Sequence, residues 1–157
     1  MPNIVAANPN DAEEIIHLQR LAYQSEARLY NDWSLAPLTQ TAHALREEFK
    51  STVILKATIH NKIIGSVRAK VEEGVCKIGR LIVHPQHQGN GIGSILLAKI
   101  EEIHESSGLF ELFTGSKSLG NIKFYNRHGY VESHCCELPE TATIIFLRKP
   151  GKNLTDP

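Results

Sequence analysis

The run Leu81-Ile82-Val83-His84-Pro85-Gln86-His87-Gln88-Gly89-Asn90-Gly91-Ile92-Gly93-Ser94 carries an apolar strand through a glycine-rich turn straight into a helix. This restricts the chain to architectures that seat a helix N-terminus at the end of a strand. The first amides of a helix lack intrahelical partners and lie at the positive end of its dipole, so the turn is a cradle for an anion such as phosphate. Glycines at 89, 91 and 93 remove Cβ atoms and admit backbone angles that other residues resist. A P-loop would close on Lys and Ser or Thr, whereas Gly93 is followed by Ser94 and Ile95. A dinucleotide-binding fingerprint needs G-x-G-x-x-G, and Gly89-x-Gly91-x-Gly93 has different spacing.

The flanking pattern predicts one α/β domain over residues 1–150 and a tail over 151–157, frayed from Pro150. A strand at Ile4 to Ala6 leads to a helix capped by Asn10 or Asp11, with Ile15, Leu18, Leu21 and Ala22 on one side. Tyr23 to Trp33 reads as polar helix or loop, and a second helix runs from Thr39 or Thr41 to Phe49. Val53–Ile59 and Ile63–Val71 form a hairpin about His60-Asn61-Lys62, with Gly65 a bulge or close-approach point. Val75–Val83 is the strand that enters the glycine turn. Ile92, Leu96, Ile100 and Ile103 give the next helix an apolar face. A strand at Leu109–Thr114, a helix from Ser118 to Arg127, and strands at Val131–Glu137 and Thr141–Leu147 complete the chain.

Seventeen basic and seventeen acidic side chains cancel, so overall charge gives no support for a nucleic-acid or anionic-membrane partner, and any phosphate recognition is local. Cys76, Cys135 and Cys136 cannot all pair within one chain and lack metal-site spacing, and no set of four ligands gathers around His84, His87 or His134. Neither a secretory leader nor a membrane-spanning run is legible. The expectation is a cytoplasmic protein without a metal.

A second segment, Thr114-Gly115-Ser116-Lys117-Ser118-Leu119-Gly120-Asn121-Ile122-Lys123-Phe124-Tyr125-Asn126-Arg127-His128-Gly129-Tyr130, follows the glycine turn by one helix and one strand. Together with Gln88-x-x-Gly91-x-Gly93 it resembles the GNAT superfamily of acyl-CoA-dependent N-acetyltransferases. In that superfamily a helix bears a polar residue near its start (here Asn121), a Tyr near its end (Tyr125) and a closing glycine-aromatic pair (Gly129-Tyr130). The resemblance implies a mixed, twisted sheet of six or seven strands with about four helices, and splayed parallel strands that form a CoA cleft.

It also implies roles. Backbone amides of Gly89, Asn90, Gly91, Ile92, Gly93 and Ser94, with Gln88 beside them, hold the CoA pyrophosphate. Leu81, Ile82 and Val83 present main chain to the pantetheine as if to an added strand. Ser118, Asn121 and Lys123 touch the pantetheine arm or a phosphate. Tyr125 protonates the departing thiolate, and an N–H near Val83 stabilises the acyl oxygen. Acetyl-CoA is then the cosubstrate, a primary amine on a small metabolite, peptide or protein is the acceptor, and a homodimer is compatible. An amine with a pKa of roughly 10.4 must lose a proton before it attacks. Many relatives use a Glu on the strand before the glycine loop, where this chain has Ile78-Gly79-Arg80-Leu81. The candidates for the base are Glu111, His84 or a relay of water. Glu26, Tyr30 and Trp33 fall in the segment that lines the acceptor pocket in similar enzymes. The rival reading is a non-catalytic acyl-CoA sensor on the same fold.

Overall fold

The computed structural model describes residues 2–137 and 143–152. An N-terminal strand β1 (Asn3–Ala6) is followed by four helices: α1 (Ala12–Ala22), α2 (Gln24–Tyr30), the single turn α3 (Ala36–Thr39) and α4 (Ala42–Glu48). Strands β2 (Val53–Ile59), β3 (Lys62–Glu72) and β4 (Val75–Val83) then lead to α5 (Ile92–Ile103), β5 (Leu109–Gly115), α6 (Leu119–Arg127), β6 (Val131–Cys136) and β7 (Ile144–Pro150). The strands form one mixed sheet in the order β1-β2-β3-β4-β5-β7-β6. Among the described residues, only β4 and β5 pair in parallel. The seven strands and the α/β class agree with the reading above. The helices exceed the expected four, because the Tyr23–Trp33 stretch contains α2 and Pro37 sits inside α3.

Local chemistry accounts for the boundaries. His60 and Asn61 both take left-handed angles, φ 50° and 64°, which a two-residue hairpin turn requires to follow the twist of its strands. Thr41 caps α4 by accepting from the Ala44 amide at 3.1 Å. Asn8, rather than Asn10 or Asp11, supplies the first cap. Its side chain accepts from Asn10 N at 2.9 Å while Asp11 bonds the Asn8 amide at 2.9 Å, a reciprocal capping box on a short 3-10 turn that precedes α1.

Two apolar clusters sandwich the sheet. On one face α5 lays Ile92, Leu96, Leu97 and Ile100 against Leu55, Val67, Cys76, Ile78, Phe110 and Leu112. On the other, Ile15, Ile16 and Leu18 of α1 and Leu45 of α4 cover Ile54, Ile63 and Ile82. Full burial of each such side chain contributes about 1.5–3 kcal/mol. Ile103 is 47 % exposed: the last turn of α5 overhangs the sheet, and Leu97 takes the place expected of it. Gly65 is a close-approach point beside a bulge at Ile64; a Cβ there would lie 3.0 Å from Leu96 Cδ1.

The C-terminal end is more ordered than the sequence predicts. β7 inserts between β5 and β6 and extends to Pro150. Gly151 is buried, donating to Gly108 O at 2.9 Å, and a Cβ at 151 would meet Ser107 O at 2.0 Å. The expected strand start at Thr141 and Ala142 lies outside the described residues, as does the tail from 153.

Candidate active site

β4 and β5 are paired only at Val75 with Leu109, Cys76 with Phe110 and Lys77 with Glu111. Beyond Lys77 both strands continue unpaired with each other, and the gap opens into a cleft of about 1640 Å³. Its walls are β4 from Ile78 to Val83 and β5 from Leu112 to Gly115, closed by the glycine turn, α2 and α6.

The three glycines of the turn do different things. Gly89 and Gly91 sit at φ 82° and 80° with nothing within 4 Å of where a Cβ would stand, so they supply backbone shape and an open approach. Gly93 instead lets Phe124 of α6 pack, at 3.5 Å from its would-be Cβ. Gly91 is the N-cap of α5 with no side-chain cap, and the helical ladder starts with Ile95 N to Gly91 O at 3.1 Å. Among the described residues, the amides of Ile92, Gly93 and Ser94 have no protein acceptor. Gln88 ties the turn to the strand by donating from Nε2 to Val83 O at 3.2 Å. A pyrophosphate therefore fits: it would meet bare N–H groups and open space over residues 89 and 91.

On the opposite side, hydrogen bonds run in one direction. A carboxylate only accepts, so Ser118 Oγ donates to Glu26 Oε2 at 2.6 Å. Ser118 is then free to accept from Tyr30 Oη at 2.7 Å, and Tyr30 in turn accepts from Lys117 N at 3.0 Å. Such aligned chains polarise and strengthen one another. Asn121 Nδ2 reaches both Glu26 Oε1 at 3.4 Å and Thr114 Oγ1 at 3.3 Å. Gly115 makes the arrangement possible, since a Cβ there would lie 1.9 Å from Tyr30 Oη.

Tyr125 faces this carboxylate. Burial is the main cause that holds its phenol above the ordinary tyrosine range, and negative charge at Tyr23 and Glu26 pushes in the same direction. Burial also raises Tyr23, against the opposing pull of Arg80 and Arg68. Beneath them Arg68, 4 % exposed, is matched by Glu48 at 3.1 Å, by Gln40 at 3.2 Å and by the side-chain oxygen of Gln19.

The sequence-predicted residues divide accordingly. Leu81, Ile82, Val83, Gln88, Gly89, Gly91, Ile92, Gly93, Ser94, Asn121, Tyr125, Glu26 and Tyr30 line the cleft. Asn90 and Lys123 are exposed and outside its lining, and Trp33, 56 % exposed, is beside it rather than in its wall. Ser118 is buried outside the cleft's lining, with its hydroxyl engaged by Glu26 and Tyr30. Glu111 is corrected: it sits at the paired end of the strands, bonded to Arg148 at 2.7 Å, in a separate surface hollow with Glu72, Glu73 and Lys77. His84 is also committed elsewhere, its Nδ1 accepting from Gln86 N at 3.0 Å to cap a short turn. Sequence reasoning missed Tyr23 and Arg127 as lining residues, and no spacing signal marks them. Among the described residues there is no cluster of three or more metal-ligating side chains, and no helix is long and apolar enough to cross a membrane.

Residues 12–130 match the sequence model of the acetyltransferase (GNAT) family. The chain belongs to the GNAT family. A Bacillus subtilis (strain 168) GNAT relative, the uncharacterized N-acetyltransferase YjcF, is 20 % identical over 130 residues, covering 83 % of this chain and 85 % of its own. Among solved structures, the PaiA N-acetyltransferase from Thermoplasma acidophilum in complex with coenzyme A superposes with a TM-score of 0.78 at 19 % identity, covering 96 % of this chain and 99 % of that one. The ribosomal-protein-S18-alanine N-acetyltransferase from Escherichia coli gives 0.79 at 15 % identity, covering 99 % and 100 %. These likenesses show that the chain shares the fold of these acetyltransferases.

Proposed function

We propose that this chain transfers an acetyl group from acetyl-CoA to a primary amine by direct attack in a ternary complex. The observation that carries the reading is convergence. One cleft holds an unpaired strand edge, a bare helix N-terminus, a half-buried phenol and a hydrogen-bonded carboxylate. Acetyl-CoA, when bound, supplies the acetyl group and the thiol that leaves.

The chain's residues would do the rest. The β5-facing edge of β4 pairs with an extended amide chain as a strand would, and the amides from Ile92 to Ser94 receive phosphate oxygens. An N–H near Val83 facing the acyl oxygen would contribute about 3–4 kcal/mol to the barrier reduction. Glu26 attracts the ammonium group. With Glu111 and His84 engaged elsewhere, Glu26 or water held by it takes the proton before attack. Tyr125 stays protonated because it is buried, and its hydroxyl delivers a proton to the departing sulfur.

Purified protein, acetyl-CoA and a panel of amines should release free thiol. Tyr125→Phe should lower kcat by roughly 100-fold, the lower end of general acid contributions, with CoA affinity unchanged. Full activity in Tyr125→Phe would remove that residue from the mechanism. Saturable CoA binding with no thiol release from any amine or peptide would make the protein a sensor.

A further inference from the structure

Arg80 is where it is because of a β-bulge. Cys76 and Ile78 of β4 point into the α5 cluster, and strict alternation would send residue 80 the same way. However, Ser66 pairs with Ile82 and Arg68 with Gly79, so Arg80 and Leu81 together oppose Val67. The extra residue reverses the parity: Leu81 and Val83 pack with the α5 cluster, and Ile82 joins the α1 and α4 cluster. Arg80 itself takes φ 49°, the left-handed region that arginine rarely adopts. Bulges re-aim side chains beside functional sites, and strain of this kind persists only where the surroundings enforce it.

The re-aimed guanidinium lines the cleft on the α1 side, against the Tyr23 phenol and near Arg68. Its charge has no counterpart. Arg68 is paired with Glu48, whereas Arg80 makes no ion pair among the described residues and has the Tyr23 phenol as its hydrogen-bond neighbour; its Nε, like that of Arg68, is shielded from solvent without a hydrogen-bond partner. A buried donor left unbonded is costly, the more so on a charged group, so the site is set for an acceptor that arrives with a ligand. Glu26 acts on the same Tyr23 phenol from α2. The cleft thus offers one carboxylate and one unpaired guanidinium to a single bound molecule.

We propose that Arg80 receives a carboxylate of the acceptor, which makes the substrate an amine that also carries a carboxylate, its ammonium group directed to Glu26. This rests on the acetyl-transfer reading and names its substrate class. A planar guanidinium binds a carboxylate through paired N–H bonds, which a lysine cannot reproduce. The carboxylate has two sources, the α-carboxylate of a free amino acid or the side chain of an acidic residue at a peptide N-terminus.

The test uses matched sets: free amino acids, their amides and their decarboxylated amines, with C-terminally amidated peptides beginning in Glu or Asp as a separate arm. Thiol release is measured, and so is equilibrium binding of each compound to CoA-loaded protein. Carboxylate-bearing acceptors should exceed their amides at least tenfold in kcat/KM. Arg80→Gln should erase that preference mainly through KM, and Arg80→Lys should restore part of it. CoA affinity should stay at the wild-type value in both, which shows that the fold is intact. Preference for the free amino acids assigns the α-carboxylate, and preference for the acidic peptides assigns the side chain. Equal rates for acids and amides, a preference that survives Arg80→Gln, or neither binding nor turnover of any carboxylate-bearing amine would overturn the proposal. Thiol release without such preference leaves acetyl transfer standing and removes this inference. Arg80-dependent binding without thiol release does the reverse.

Discussion

Gly115→Ala adds one methyl group, yet the structure assigns it a specific consequence. The new Cβ would stand 1.9 Å from Tyr30 Oη, 2.4 Å from Cζ and 3.1 Å from Cε2, far inside the 3.5–4.0 Å of ordinary carbon contact. Gly115 has no left-handed φ to lose, so backbone strain does not enter. Tyr30 is only half-buried and can swing outward, which caps the steric cost and moves the loss to its bonds. Those are the 3.0 Å bond from Lys117 N and the 2.7 Å bond to Ser118. At about 1 kcal/mol net for each, with some ring exposure added, the expected destabilisation is about 2–3 kcal/mol. Urea titration of wild type, Gly115→Ala, Tyr30→Ala and the double variant closes a thermodynamic cycle. The double variant should be no less stable than Tyr30→Ala alone, giving a coupling of about 2 kcal/mol. Additive losses would refute the argument, because they would mean the methyl group acts on something other than the phenol. Since Glu26 loses support through Ser118, KM for the amine should also rise while CoA affinity holds.

Two further outcomes follow from the glycine turn and from the buried phenols. Gly91→Asp places a negative side chain at the mouth of the cradle, and CoA affinity should fall at least tenfold on the basis of charge repulsion at partial screening. Gly91 sits at φ 80°, so the substitution also strains the backbone and should lower the melting temperature; a calorimetric Kd equal to wild type, measured where the variant is folded, would refute the cradle assignment. Stability should decline at alkaline pH. Burial raises the Tyr23, Tyr125 and Tyr130 phenols above their ordinary value and pushes the Cys76 thiol from 9.0 to about 12. Above those ordinary values the unfolded chain releases protons that the folded chain retains, so stability is fully present below about pH 9 and is lost as pH rises. Urea midpoints that stay flat or increase between pH 9 and 11 would contradict this.

Much of the site was legible because it is local. The cradle needs only a strand, three glycines and a helix start in succession, and all lie within residues 81–96. Tyr125 and Asn121 were singled out by the resemblance of their helix to the GNAT pattern, and both line the cleft. The base was not legible in this way: whether Glu111 reaches the cleft depends on where β4 and β5 part. They part after Lys77 and Glu111, which leaves that carboxylate at the closed end with Arg148. Glu26, the carboxylate that does line the cleft, is held there by Ser118, a residue 92 positions away, and no periodicity reports such a contact. His84 was not decidable for a different reason, since a ring nitrogen used to cap its own turn looks the same in sequence as one free for chemistry.

The amino-acid sequence by itself determined the strands and most of the helices, the glycine turn with its bare helix start and the helix that carries Tyr125, because hydrophobic period, turn residues and bare amides act over a few positions. Tertiary structure alone decided the insertion of β7 between β5 and β6 and the burial of Gly151. It also decided the direction of Arg80. One additional residue in β4 turns every later side chain to the opposite face, and only the pairing with β3 shows where that residue lies.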